Sequence, residues 1–354
     1  MWMSVIWKKS SVSSGVITAP ACVSIIVPFR NEASNLAVLI DCLENQLVDK
    51  RNLEIIFVND HSNDGGEKSI TNSLSHKVIS LEENSGKKAA LSEGIHAAKH
   101  EWIITIDADV ILGPKWLTAI RGAMETFDCD MIILPLFIDD GKTTFEKMQC
   151  IEFMSLLGTT AAMATAGMPI LCNGANLAFK KSAWIEMSLK RDDDSISSGD
   201  DMFLMHALKK NGKIKWLHNI EAIAVTAASP NFSEFIAQRI RWTTKSLQYK
   251  DISTILTGTL VAVINIALLT ILFLGIVDHK YLLLYGVSFL LKMLVDFTLI
   301  KQVAAWTDKK HLLICILPVS LIYPLYAVLI PVVGFFYHPK WKGRTISLRQ
   351  QRKR

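Results

Sequence analysis

Apolar residues along this chain fall into short unbroken runs, separated by longer stretches with helical spacing. "CVSIIVP" (22–28), "LEIIFVND" (53–60), "KVISL" (77–81), Trp102 to Ile106 and "MIILPLF" (131–137) predict strands, and none of them alternates cleanly between apolar and polar residues. "NLAVLIDCLENQL" (35–47), a stretch around 88–99 and another from Pro114 carry the three-to-four spacing of helices. Strands without alternation that take turns with helices predict βαβ units and a parallel sheet covered on both faces. The fold class expected is α/β, Rossmann-like, with a mostly parallel sheet. Ligands bind such sheets at the carboxyl ends of the strands. Polar residues gather at those ends here: Arg30-Asn31-Glu32, Asn59-Asp60, and Asp107 with Asp109.

Beyond residue 140 the pattern changes. Segment 145–170 is rich in Met, Ala and Leu and fits either a core helix or one lying against a membrane. "NGANLAFKK" (173–181) reads as a strand at a site edge, because Asn173, Gly174 and Asn176 are small or polar where a core wants bulk. Residues 253–277 and 281–300 are each long and apolar enough to span a bilayer. Lys292 and Asp296 inside the second form an i, i+4 pair expected to face another helix rather than lipid. A third segment, 311–337, contains Pro318, Pro324 and Pro331. If all three crossed, the basic tail would lie opposite the soluble domain, against the positive-inside tendency if that domain is cytosolic. A re-entrant third segment is therefore favoured. The expected organisation is an N-terminal segment (1–20), a soluble domain (21–250), a membrane region (251–337) and a basic tail (338–354).

Composition narrows the function classes. Of 354 residues half are hydrophobic, and the net charge of +5 is concentrated in "KWKGRTISLRQQRKR" at the C-terminus. Basic residues at one end rather than across a folded face predict a membrane-surface anchor and no nucleic-acid partner. The six cysteines are far apart and form no C-x-x-C pair, so neither a disulfide framework nor a zinc site is signalled. "MWMSVIWKKS" has too short an apolar stretch, with its lysines on the wrong side, for a cleavable signal peptide.

The candidate chemistry starts from Asp107-Ala108-Asp109. An extended backbone points residues two apart to the same side, so two carboxylates stand together and need a cation, a base or water. Hard oxygen ligands at this spacing suit Mg²⁺ or Mn²⁺, with phosphate and water completing the shell. Asp60 at a neighbouring strand end is placed to accept from a base N–H, and Glu32 to hold ribose or base; Asp64 reads as a turn former. "ENSGKKAAL" sets Gly86 and Lys87 before a helix, without P-loop spacing. In "SSGDDMFLMHAL", Ser198 reads as a cap with Asp200 and Asp201 in the first turn. Asp201 shares the face of Leu204, Met205 and Leu208, and an inward carboxylate can act as a general base. In "FSEFIAQRIRWTTKSL", Phe232, Phe235, Ile236, Ile240, Thr243 and Leu247 share one face, while Gln238, Arg241, Trp242 and Lys245 take the other. A guanidinium and an amide there could grip a diphosphate while the indole stacks on a sugar or on lipid headgroups. His61, His206 and His218 show no ligand spacing and read as structural.

With "VPFRNE", "VNDHSND", "GKKAAL", "DAD", "GDDMFL" and "QRIRW" in this order over residues 22–245, the chain resembles the membrane-bound inverting glycosyltransferases of family 2, with a GT-A catalytic domain. The Q-x-x-R-W element is seen in ceramide glucosyltransferases and in cellulose, chitin and poly-N-acetylglucosamine synthases. The resemblance implies that Asp60 contacts the nucleobase, that Asp107 and Asp109 bind a metal-diphosphate, and that Asp201, beside Asp200, is the catalytic base. It also implies that Gln238, Arg241 and Trp242 line the acceptor and diphosphate end. Two departures are visible: the usual Asp-Asp pair is Asn59-Asp60, and the usual Glu-Asp is Asp200-Asp201. The activity implied is transfer of a sugar from a nucleotide sugar, expected to be a UDP-sugar, to a lipid or lipid-linked glycan. The alternatives are a processive polysaccharide synthase and a non-catalytic membrane scaffold. An integral protein of a bacterial inner membrane, with its catalytic domain on the cytoplasmic face, is expected.

Overall fold

A computed structural model describes residues 7, 21–48, 52–70, 76–82, 86–189, 200–210, 213–246, 248–336, 340–341 and 344–345. Ser198, nearly all of segment 1–20 and most of the basic tail lie outside the described residues. The chain divides into two compact units, Lys8–Phe137 with Met163–Ala227, and Met1–Trp7 with Ile138–Ala162 and Ala228–Arg354.

The first unit is built on a seven-stranded sheet. Its strands are β1 (Val23–Phe29), β2 (Leu53–Asn59), β3 (His76–Ser80), β4 (Trp102–Ile106), β6 (Met131–Ile133), β8 (Asn176–Lys180) and β9 (Ile214–Trp216), in the order β3-β2-β1-β4-β8-β6-β9. Every residue of β1 and β2 is buried, which is why their sequences run apolar without alternation. β1 pairs in parallel with β2 and β4, and β2 with β3, so Phe29, Asn59 and Ile106 end on one edge. β8 runs antiparallel to both β4 and β6, with Asn176 opposite Ile106. That reversal carries the loop before β8 to the edge where the parallel strands stop. A small second sheet has the order β5 (Val110–Leu112), β10 (Ala224–Thr226), β7 (Leu136–Ile138).

Two sequence expectations change here. "MIILPLF" is two strands in two sheets, because Pro135 has no N–H to continue a ladder. Asn176 is not a site-edge residue: it is fully buried, accepts from Trp116 Nε1 (3.2 Å) and donates to the carbonyls of Pro135 (2.6 Å) and Ala222 (3.0 Å).

Helix α1 (Ala33–Glu44) follows β1, α2 (Lys87–Ala97) packs on the sheet, and α3 (Trp116–Thr126) buries Trp116, Leu117 and Ile120. The first-turn N–H of Ala33 is satisfied from outside the helix, by Asp64 Oδ2 (2.8 Å), while Asp64 Oδ1 accepts from Gly66 N (3.0 Å). Asp64 therefore has the local structural role expected of it. Gly94 brings α2 onto the strands, since a Cβ there would lie 2.5 Å from Ile26 Cγ2 and 3.0 Å from Val58 Cγ2.

The second unit holds α4 (Thr144–Thr165, counted here through Ala162), α7 (Phe232–Ser246), α8 (Ile252–Val277), α9 (Lys280–Trp306) and α10 (Ile316–Phe336). The segments Ile252–Val277, Lys280–Trp306 and Lys310–Gly334 are long and apolar enough to cross a membrane. Their outward residues are apolar, as at Leu283 (77% exposed) and Phe273 (65%), the surface that lipid would cover. Lys292 and Asp296 pair at 2.6 Å, and the Lys292 ammonium sits 5.0 Å from the Tyr323 ring of α10, so the pair faces a neighbouring helix as expected. The third segment forms a helix, α10, that is continuous through Pro324 and Pro331. Pro318 falls in its first turn, directly after the 3-10 helix Lys310–Cys315.

Gly94→Ala should destabilise the first unit by about 1–3 kcal/mol, because the added methyl has no room between Ile26 and Val58. A lowered denaturation midpoint in detergent checks this.

Candidate active site

The chain turns at Asp107-Ala108-Asp109, between β4 and β5, instead of extending, so the shared-side argument from an extended strand does not describe this triplet. Compensation comes from within the chain: Lys87 Nζ, in the first turn of α2, makes an ion pair with Asp107 Oδ1. Burial alone would lower the Lys87 ammonium, but Asp107, assisted by Asp201 and Asp109, outweighs it and holds the group above the ordinary lysine value. Lys87 is thus charged at neutral pH. Asp109 receives only part of that support. Although its side chain remains exposed to solvent, the protein crowded around it, then Asp107 and Glu32, push its carboxyl up to about 6, with Lys87 opposing.

Asp201 opens α6 (Asp200–Lys209), whose Leu204 and Met205 are buried as the spacing predicts. The antiparallel course of β8 brings Gly174 to it: Gly174 N donates to Asp201 Oδ2 (2.9 Å), and Met202 N donates to Oδ1 (2.9 Å). A Cβ on Gly174 would come 3.3 Å from that same oxygen, so the close approach uses a glycine. Two backbone donors fix the carboxylate's direction. The Asp200 side chain lies outside what the structure describes.

Asp60 is 2% exposed. Its Oδ1 accepts from Gly86 N (3.0 Å) and lies 3.2 Å from His61 Nδ1, while Arg30 Nη1 donates to its carbonyl (3.0 Å). His61 therefore touches a candidate site residue, which its spacing in sequence did not signal. Asn59 donates to Glu67 Oε2 (2.7 Å) and accepts from Ser62 N (2.8 Å). Glu32 precedes α1, where its Oε2 accepts from Asn35 Nδ2 (2.6 Å), and its charge is felt at Asp109.

One edge of the first unit thus carries Glu32, Lys87, Asp107, Asp109 and Asp201, linked by the charges just described, with Asp60 joined through Gly86. Gln238, Arg241 and Trp242 lie on α7 of the second unit. Gln238 Oε1 accepts from Arg239 Nη1, and the Trp242 ring stacks 4.3 Å from the Arg239 guanidinium, a partner the sequence reading did not assign. Burial lowers Arg241 from the ordinary arginine value. Phe232, placed on the buried face by spacing, is 67% exposed, while Phe235 and Ile240 are buried as expected. The side chains of Lys245 and Leu247 are outside the described residues.

Fold and side-chain arrangement define a class: an α/β domain whose strand ends converge on an acidic edge bridged by a lysine. Residues 24–184 match the Glycosyl transferase family 2 model. It is 37% identical over 117 residues to a probable glycosyltransferase of Sulfolobus acidocaldarius, covering 31% of this chain and 25% of that protein. To the poly-beta-1,6-N-acetyl-D-glucosamine synthase of Staphylococcus aureus it is 31% identical over 161 residues, covering 42% and 37%. The matched stretches span only a quarter to just over a third of these relatives. Among solved structures, a mannosyltransferase of Pyrobaculum calidifontis in complex with GDP-Man and Mn²⁺ covers 90% of this chain and 93% of its own, with TM-score 0.54 and 17% identity, a likeness of fold.

The raised Asp109 carboxyl yields a stability prediction. Its folded value of about 6 exceeds the ordinary aspartate value, so ionisation costs stability above pH 6 and nothing below both values. Asp109→Asn should raise the melting temperature at about pH 7.5 without divalent cations, and the gain should disappear below about pH 4. Thermal scans at the two pH values check it.

Proposed function

We propose that the protein is an inverting glycosyltransferase that moves a sugar from a nucleotide-sugar donor to a lipid or lipid-linked glycan at a membrane surface. The observation that carries this reading is the convergence of Lys87, Asp107, Asp109 and Asp201 on one edge of a family 2 domain. Asp201, its carboxylate oriented by Gly174 and Met202, takes the proton of an acceptor hydroxyl. The acceptor oxygen bonds to the anomeric carbon from the face opposite the diphosphate, the bond from that carbon to the diphosphate oxygen breaks, and the configuration inverts. Lys87 lies among the acidic residues as a fixed positive charge where charge grows on the leaving group. Asp60 contacts the nucleobase of the donor, taken here as a UDP-sugar, and Glu32 its ribose or base. Gln238, Arg241 and Trp242 are assigned to the acceptor and diphosphate end on their motif alone.

The donor set also bears on the metal. Among the described residues no group of three or more His, Cys, Asp or Glu side chains gathers to hold an ion. Asp107 and Asp109 supply two carboxylates, which suits a hard cation that takes its remaining ligands from phosphate and water, and the repulsion at Asp109 is what such a cation relieves. Bound there, Mg²⁺ or Mn²⁺ would neutralise charge on the departing diphosphate. The apolar helices that follow favour an acceptor delivered at the bilayer, and a catalytic domain on the cytoplasmic face of a bacterial inner membrane fits that reading. A processive polysaccharide synthase is the second reading, favoured by the likeness to the staphylococcal synthase.

Incubated in detergent with lipid extract and a panel of sugar nucleotides, the full chain should release nucleoside diphosphate. Chelation should stop the release, Mg²⁺ or Mn²⁺ should restore it, and Asp201→Asn should slow it at least about 100-fold. A single added sugar supports glycolipid synthesis and a ladder supports polymerisation. Silence across the panel in wild type and variant alike would favour a non-catalytic scaffold.

A further inference from the structure

Within the second unit, one charged side chain is buried on the apolar face of an amphipathic helix. Arg239 is 3% exposed. Its Nε donates to both oxygens of Glu152 on α4 (3.2 Å each), and Nη2 donates to Glu152 Oε2 (2.5 Å), a forked arrangement that only arginine makes. Glu152 Oε1 also accepts from the Tyr326 hydroxyl of α10 (2.8 Å). The guanidinium lies 4.6 Å from the Phe235 ring on one side and 4.3 Å from the Trp242 ring on the other. Phe235 itself stacks on Tyr326 at 5.7 Å, and Trp242 meets Phe153 of α4 at 6.4 Å. Three helices are joined through one guanidinium.

That guanidinium touches two side chains of the Q-x-x-R-W element. Gln238 gives its carbonyl oxygen to Arg239 Nη1, which leaves its amide group as the donor end, and Trp242 is stacked on Arg239. The orientation of both is set by a residue that the motif leaves unspecified. A buried pair of this kind is a demanding device, because loss of either partner strands the other's charge away from water. Holding a helix merely in place needs only apolar contact, which Ile240 and Phe235 already provide.

We infer that Arg239, anchored by Glu152 and Tyr326, is a positioning residue that presents Gln238 and Trp242 for the transfer reaction. The inference rests on the glycosyltransferase reading above, and it adds residues to the working set that touch neither donor nor metal. Tyr326 makes the last of the three membrane-candidate helices part of that set. Replacement of the fork by a point charge keeps the ion pair while releasing the geometry, so Arg239→Lys separates orientation from charge.

The test uses the full chain in detergent with a donor that the panel identifies. Arg239→Lys and Glu152→Gln should each lower kcat at least about tenfold, with the donor KM moving less than about threefold. The double variant should be no slower than the worse single one, since both remove one shared arrangement. Tyr326→Phe should give a smaller loss. A second measurement avoids activity: a Cβ at Gly334 lies 3.4 Å from Thr244 Cγ2, so Thr244→Cys with Gly334→Cys should cross-link α7 to α10 on oxidation, and Arg239→Met should slow that reaction. Arg239→Lys keeping kcat within about twofold, multiplying losses in the double variant, or cross-linking indifferent to Arg239 would each overturn the inference. If wild type turns over no donor, the functional reading has failed, and the cross-linking rates alone decide whether Arg239 clamps the helix.

Discussion

The ion pair of Lys87 with Asp107 is the interaction on which the acidic edge depends. Glu32, Asp107 and Asp109 would otherwise face one another with no opposing charge, and carboxylates that close together resist ionising. Lys87 is paired with Asp107 and only partly offsets the repulsion at Asp109. The edge is therefore compensated on one side and attractive to a cation on the other. As both members of the pair are about one-third exposed, the fold gains little from it, and its weight lies in the field it sets up.

Much of this was legible in the sequence because apolar runs report burial. The uninterrupted β1 and β2, the turn role of Asp64, the buried face of α6 below Asp201 and the inward Lys292–Asp296 pair all follow from spacing alone. Strand direction does not. A run of Asn-Leu-Ala-Phe-Lys looks the same whichever way it enters a sheet, so the antiparallel β8, and with it the Gly174 contact to Asp201, was hidden. Asn176 misled for a related reason. A polar residue at a strand start resembles a site residue, whereas here it ties Trp116 to two carbonyls inside the core.

Arg239 shows the limit of amphipathic reasoning in the other unit. Four residues beyond Phe235, it sits on the apolar face of α7, where a charge signals a buried partner; Glu152 in the apolar helix α4 was the matching signal. Neither position identifies the other without coordinates, because they lie 87 residues apart. The prolines of α10 mark a similar limit. Each removes one backbone donor, which predicts a break in water, but a helix supported by neighbours absorbs the loss.

The departure at Asn59 has a local cause. Its amide donates to Glu67 and its carbonyl oxygen accepts from Ser62 N, and an ionised aspartate there would meet Glu67 charge to charge. The turn after β2 is built for an amide, which leaves Asp60 as the carboxylate of that corner. Asp60 in turn holds Gly86 N–H, and the very next residue is the lysine that compensates Asp107. The corner assigned to the base and the edge assigned to the diphosphate are thus joined through a single dipeptide.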